Sequence, residues 1–118
     1  MKTSGLIGPA LDWAVAKACY TDGRTIYTDT GIVLIHTAPD SGIHFRFSPS
    51  IDWSQGGPII EREKINIRDE VTCWSSWMWD SNRCGDVSYY GPTPLIAAMR
   101  CYVASKLGDE VDVPEELT

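Results

Sequence analysis

The chain has 118 residues, of which 43% are hydrophobic and 22% charged, a balance ordinary for one globular domain that folds without a metal or a disulfide. Its formal net charge of −6 gathers at one end, where Asp109, Glu110, Asp112, Glu115 and Glu116 fall within the last ten residues. There is no basic footprint for direct binding of DNA or RNA, and no apolar run long enough to span a membrane.

Residues 109–118 therefore read as a short solvated acidic tail on a single domain covering 1–118; mimicry of DNA would need acids spread over a face. Met1 to Ile7 carries no export signal, so the four cysteines, Cys19, Cys73, Cys84 and Cys101, are expected as thiols of an intracellular protein. Cys73 and Cys84 would bridge a loop only in a secreted chain. No CxxC spacing occurs and only His36 and His44 could assist, so no metal and no cofactor is expected.

In chain order, Pro9 to Tyr20 has the Ala and Leu content of a helix, with Leu11, Ala14, Val15 and Ala18 on one stripe and a stop at Thr21-Asp22-Gly23. Ile32 to His36 is a β-branched run expected as a strand buried on both faces, and His36 reads as a packed core residue. A turn over 38–42 leads to Ile43-His44-Phe45-Arg46-Phe47, whose alternation predicts a half-buried strand that pairs back as a hairpin. Ser48 to Gly57 is expected as a loop, and Pro58 to Glu63 as a short helix or an extended segment. Residues 65–68 and 71–79 read as strands. Asp80 to Gly91 is polar and turn-rich, which predicts a long mobile loop.

The last element is an amphipathic helix over 94–107, capped by Thr93, opened by Pro94 and stopped by Gly108. Leu95, Ala98, Met99, Tyr102 and Val103 form its apolar face, and Ala97, Cys101, Ala104 and Ser105 a small-residue face that lets another element approach. Arg100 is expected to pair with an acid such as Asp12 or Glu61. Two main helices, near 9–20 and 94–107, with several short strands make an α+β fold with a small antiparallel or mixed sheet.

Three stretches resemble a known family: Ala10-Leu11-Asp12-Trp13-Ala14-Val15-Ala16, Asp52-Trp53 through Gly57-Pro58-Ile59-Ile60-Glu61-Arg62-Glu63, and Gly91-Pro92-Thr93-Pro94-Leu95-Ile96-Ala97-Ala98-Met99-Arg100-Cys101-Tyr102. In order and wording they are similar to the NinX family of small proteins from tailed phages and prophages, over residues 8–117, least clearly at 20–48 and 69–90. The resemblance implies a phage accessory protein acting in the cytoplasm of the infected bacterium. It implies no reaction and no catalytic residue.

The residues themselves suggest a binding site. Asp52 and Trp53 beside Gln55, Gly56 and Gly57 offer a stacking ring, a carboxylate that accepts from hydroxyls, and backbone a ligand could approach; the alternative is that Trp53 anchors its loop while Asp52 caps a turn. Arg62, together with His44 and Arg46 on one strand face, could meet phosphate, unless that strand face is merely solvated. Gly91 and Thr93 open the last helix, where N–H groups could hold an anion or simply be capped. Trp74, Trp77 and Trp79 read as core or subunit-interface residues, with Ala97 and Cys101 as a further interface face, or as a surface that covers a partner.

Motifs for phosphate cradling, nucleophile elbows, zinc proteolysis and dinucleotide binding are absent. Glu61 and Glu63 would face opposite ways on a strand, unlike a paired-carboxylate site. The leading expectation is a non-catalytic, homo-oligomeric protein that captures a small nucleotide-like molecule against host defence. A protein–protein module that inhibits or adapts a host factor comes next, and a nucleotide-processing enzyme third.

Overall fold

The structure is a computed structural model that describes residues 1–22, 24–38 and 42–117. The expected stop at Gly23 and the centre of the 38–42 turn lie outside the described residues. Three α-helices and two three-stranded antiparallel sheets are described, an α+β fold.

Helix α1 (Gly8–Cys19) leads into β1 (Ile26–Asp29), β2 (Ile32–His36) and β3 (His44–Arg46), which form the first sheet in that order. Helix α2 (Trp53–Glu63) crosses to the second sheet of β4 (Asn66–Asp69), β5 (Trp74–Asp80) and β6 (Gly85–Gly91), and α3 (Pro94–Leu107) follows. Helix α3 lies along the inner face of the second sheet, touches α2, and meets α1 on its far side; α1 in turn covers β1 and β2.

That central position changes the character of α3. Leu95 to Met99 and Cys101 to Ala104 are all buried, so apolar residues surround the helix where a single amphipathic stripe was expected. The small-residue face admits the second sheet: Ser76 Oγ donates to Ala97 O at 2.6 Å and Cys101 Sγ to Val87 O at 3.3 Å. The caps are as the sequence implies. Thr93 Oγ1 accepts from Ile96 N at 3.2 Å, and Gly108, at φ 89°, donates its N–H to Ala104 O. Thr93→Ala is expected to cost about 1 kcal/mol in urea unfolding, with Thr93→Ser losing far less. Arg100 finds carbonyls in place of an acid, Leu6 O and Tyr90 O, each at 2.8 Å.

Two segments differ from expectation. The 48–57 stretch is a short turn followed by α2, which runs through Gly56, Gly57 and Pro58. Its start is fixed by Asp52, whose carboxylate accepts from Ser54 N at 2.9 Å. Buried Gly56 and Ile59 then hold the helix by packing, which overrides the poor helix propensity of glycine and proline. The 80–91 stretch is the hairpin partner of β5, with Asp80 opposite Gly85 and Trp74 opposite Gly91. Asp80 shapes its turn, accepting from Asn82 N at 2.9 Å and pairing with Arg83 at 3.3 Å.

Strand β2 buries Val33 and Ile35, while Ile32, Leu34 and His36 are only half-buried, so the first sheet is covered mainly on one face. The acidic end is tied down. Met1 donates its terminal amine to Val111 O at 3.0 Å, the Lys2 backbone forms an isolated antiparallel β-bridge with that of Glu110, and Thr28 Oγ1 donates to Glu116 at 3.0 Å. All four cysteines are free thiols.

Candidate functional site

Helix α2 carries Gln55, Ile59 and Arg62 at helical spacing, so the three share one face. That face leans toward the end of α1 and the first sheet and leaves a cleft of about 300 Å³. Its aromatic walls are Tyr20, Phe45 and Phe47, and its polar groups include Ser54, Gln55 and Arg62. Tyr20 and Phe47 meet edge to face with centroids 5.5 Å apart, and Phe45 and Phe47 at 6.3 Å.

Arg62 is held from two sides. Its Nε donates to Glu63 Oε2 at 2.9 Å, and Nη2 donates to the Tyr102 hydroxyl at 3.4 Å. Among the described residues its Nη1 makes no hydrogen bond. The Glu63 carboxylate raises the proton affinity of Arg62 further, and Lys106 Nζ at 3.6 Å shares that carboxylate. Beneath the arginine, Cys19 Sγ donates to Tyr102 Oη at 3.5 Å, and burial pushes the Tyr102 phenol up, which keeps it neutral. The arrangement is a fixed cation at the edge of an aromatic cleft.

Of the residues expected in a site, only Gln55 and Arg62 line this cleft. The Gln55 amide is already used, accepting from Ser48 N at 2.6 Å and donating to Arg46 O at 2.8 Å, so it straps the end of β3 to α2. Trp53 and Thr93 meet elsewhere, in a mostly apolar depression of about 240 Å³ with Ile51 and Pro94. Trp53 is 54% exposed there, so it does not anchor its loop in the core. Asp52 serves as the α2 cap.

The glycines approach the chain's own backbone. A Cβ on Gly56 would lie 2.6 Å from Pro49 O, and one on Gly91 2.6 Å from Ala97 N; Gly57 has only the Trp53 ring near it, at 4.0 Å. His44 and Arg46 are exposed on β3, with His44 stacked on His36 at 6.2 Å and edge-on to Tyr27 at 5.6 Å. Ala97 and Cys101 are wholly buried within the chain, Trp74 and Trp77 are half-buried, and Trp79 is 63% exposed.

Tyr20, Phe45, Phe47 and Ser54 did not figure among the expected site residues. The alternation of 43–47 signals an apolar face, but it does not show that α2 covers this face incompletely. Among the described residues no group of three or more His, Cys, Asp or Glu side chains could hold a metal ion, and no helix is long and apolar enough to cross a membrane.

A family model described as "Bacteriophage P22, NinX" matches residues 2–106, and no curated protein matches the chain. The chain belongs to this phage NinX family, as the wording of its three stretches implied.

Proposed function

We propose that this phage protein is a non-catalytic binding protein that holds a small nucleotide-like ligand in the cleft between α1, β3 and α2. The observation that carries the reading is Arg62, fixed by Glu63 and Tyr102 at the edge of a cleft walled by Tyr20, Phe45 and Phe47. A base packs on the aromatic walls, and phosphate meets a guanidinium that is already positioned, so little side-chain entropy is lost on binding. The cleft volume of about 300 Å³ suits one small molecule and not a polymer. Among the described residues no carboxylate or imidazole lines it, which favours binding over turnover. In an infected cell such capture withdraws a host nucleotide from its receptor.

The test is a thermal-shift and native mass-spectrometry panel of nucleoside monophosphates, inorganic phosphate and a host nucleotide extract. A nucleotide is expected to raise the melting temperature and appear as a mass adduct. Arg62→Gln is expected to weaken that binding about tenfold, on the order of a charge-assisted hydrogen bond, and to change the unliganded melting temperature little, because the Arg62 side chain is 55% exposed and Lys106 still pairs with Glu63. The reading fails if no member of the panel binds, or if the Arg62 variant binds as well as the parent protein.

A further inference from the structure

A second surface lies on the opposite side of α3, on the outer face of the second sheet. Strand alternation turns Ser76 and Met78 of β5 and Val87 of β6 inward, and all three are buried. It turns Trp77 and Trp79 of β5 outward with Asp86, Ser88 and Tyr90 of β6. Trp79 and Tyr90 are 63% and 60% exposed, so neither contributes much to the core. The register sets Trp79 directly opposite Asp86 and Trp77 opposite Ser88, which places Asp86 and Tyr90 on the two diagonals of Trp77. A depression of about 290 Å³ is lined by Trp77, Asp86, Ser88 and Tyr90, with Arg68 and Glu70 also on its rim, and Trp79 stands outside it, next to Asp86.

The charges on the face are unequal in their freedom. Arg68 Nε is bound to Glu70 Oε1 at 2.7 Å, and Ser75 Oγ donates to the same oxygen at 2.8 Å, so this pair is internally satisfied. Among the described residues the Asp86 carboxylate makes no hydrogen bond or ion pair, while its backbone pairs with Trp79 in the ladder. The Arg68 guanidinium lies 5.9 Å from the centroid of the Trp77 ring, so this indole already accepts a cation.

From these observations we infer that the outer face of the second sheet docks a protein segment bearing an exposed arginine or lysine. The cation meets the Asp86 carboxylate beside the indoles of Trp77 and Trp79. The aromatic side chains supply the apolar contact characteristic of interface hot spots. Charge complementarity selects this occupant: the uncompensated charge of the face is negative, as is the chain as a whole at −6, so a phosphate-bearing partner is repelled. The surface is separate from the α2 cleft, and its use does not depend on the ligand proposed there.

The experiment titrates the isotope-labelled full chain with a short synthetic peptide of alternating Arg and Gly, followed by NMR. The expected result is movement of the Trp77 and Trp79 indole N–H signals and of the Asp86 amide. Asp86→Asn and Trp79→Ala, both at exposed positions, should each weaken binding about fivefold, as expected of a cation–π or charge contact at an exposed site. Glu115→Gln with Glu116→Gln, remote in sequence, should leave binding within about twofold. The inference is overturned if the tail variant abolishes binding while Asp86→Asn does not. It is equally overturned if a peptide with Gln in place of Arg binds as well, or if no signal of this face moves.

Discussion

Gly91→Ala is expected to lower the unfolding free energy by about 3 kcal/mol, the upper part of the range for overpacking a core. The new Cβ would lie 2.6 Å from Ala97 N, 3.0 Å from Ala97 Cα and 3.1 Å from the Ile96 carbonyl carbon. All three are backbone atoms in the first turns of α3, where rotation of a side chain gives no relief. The helix cannot easily withdraw, because Thr93 caps it and Ser76 holds Ala97 O. The strand cannot withdraw either, because Gly91 is paired with Trp74 at the end of β5. Gly56→Ala should cost less: one of its close neighbours is the Leu95 Cδ2 methyl, which can turn away, although Pro49 O cannot. Gly57→Ala should run the other way and stabilise by up to about 1 kcal/mol, since glycine inside a helix is unfavourable and the nearest atom is 4.0 Å away. Urea unfolding of the three variants orders them, and a Gly91→Ala protein within about 0.5 kcal/mol of the parent would contradict the packing described.

These glycines also show where sequence reading reaches its limit. Capping and hydrophobic runs are local, and they were readable: the Thr93 cap, the 94–107 helix, the 9–20 helix and the pairing of 32–36 with 43–47 all follow from neighbours in sequence. The β6 strand was also encoded locally, in the alternation of Val87 and Tyr89 with Asp86, Ser88 and Tyr90, but its outer positions are polar and its turn residues suggested a loop. The end of α2 was half readable, since 58–63 allowed a short helix or an extended segment, but its start was not readable from propensity, because Gly56, Gly57 and Pro58 argue against a helix. What decides the matter is Asp52 at the cap and the fit of Gly56 against Pro49 and Leu95, the latter some forty residues away in the chain. The cleft was half readable. The 48–63 segment does supply Gln55 and Arg62, but the aromatic walls come from α1 and β3, whose position against α2 is purely tertiary.

Asp12 is the other position where a large effect is expected, and it concerns pH. The side chain sits in α1, is 5% exposed, and accepts from Ser50 N at 2.9 Å, tying the turn before α2 to the first helix. Burial pushes its pKa from 3.8 to about 6, against the opposing pull of Ser50 and of the Arg46 charge. The folded protein therefore holds a proton on Asp12 that the unfolded chain releases between pH 4 and pH 6. Stability linked to this group is full below about pH 4, falls as pH rises through that window, and is lost above about pH 6, with a total change of about 3 kcal/mol. Asp12→Asn keeps an oxygen for Ser50 N but has no charge to desolvate. The stability difference between the parent protein and this variant should change by about that amount from pH 4 to pH 7 and stay flat above it, with the variant gaining as pH rises. Asp12→Ala removes the acceptor as well and leaves Ser50 N buried without its partner, so it should cost about 1–3 kcal/mol even at pH 4. Urea unfolding at a series of pH values separates the two effects. Parallel profiles for the parent and Asp12→Asn would mean that Asp12 titrates as an ordinary solvated carboxylate and that the α1 junction is open to water.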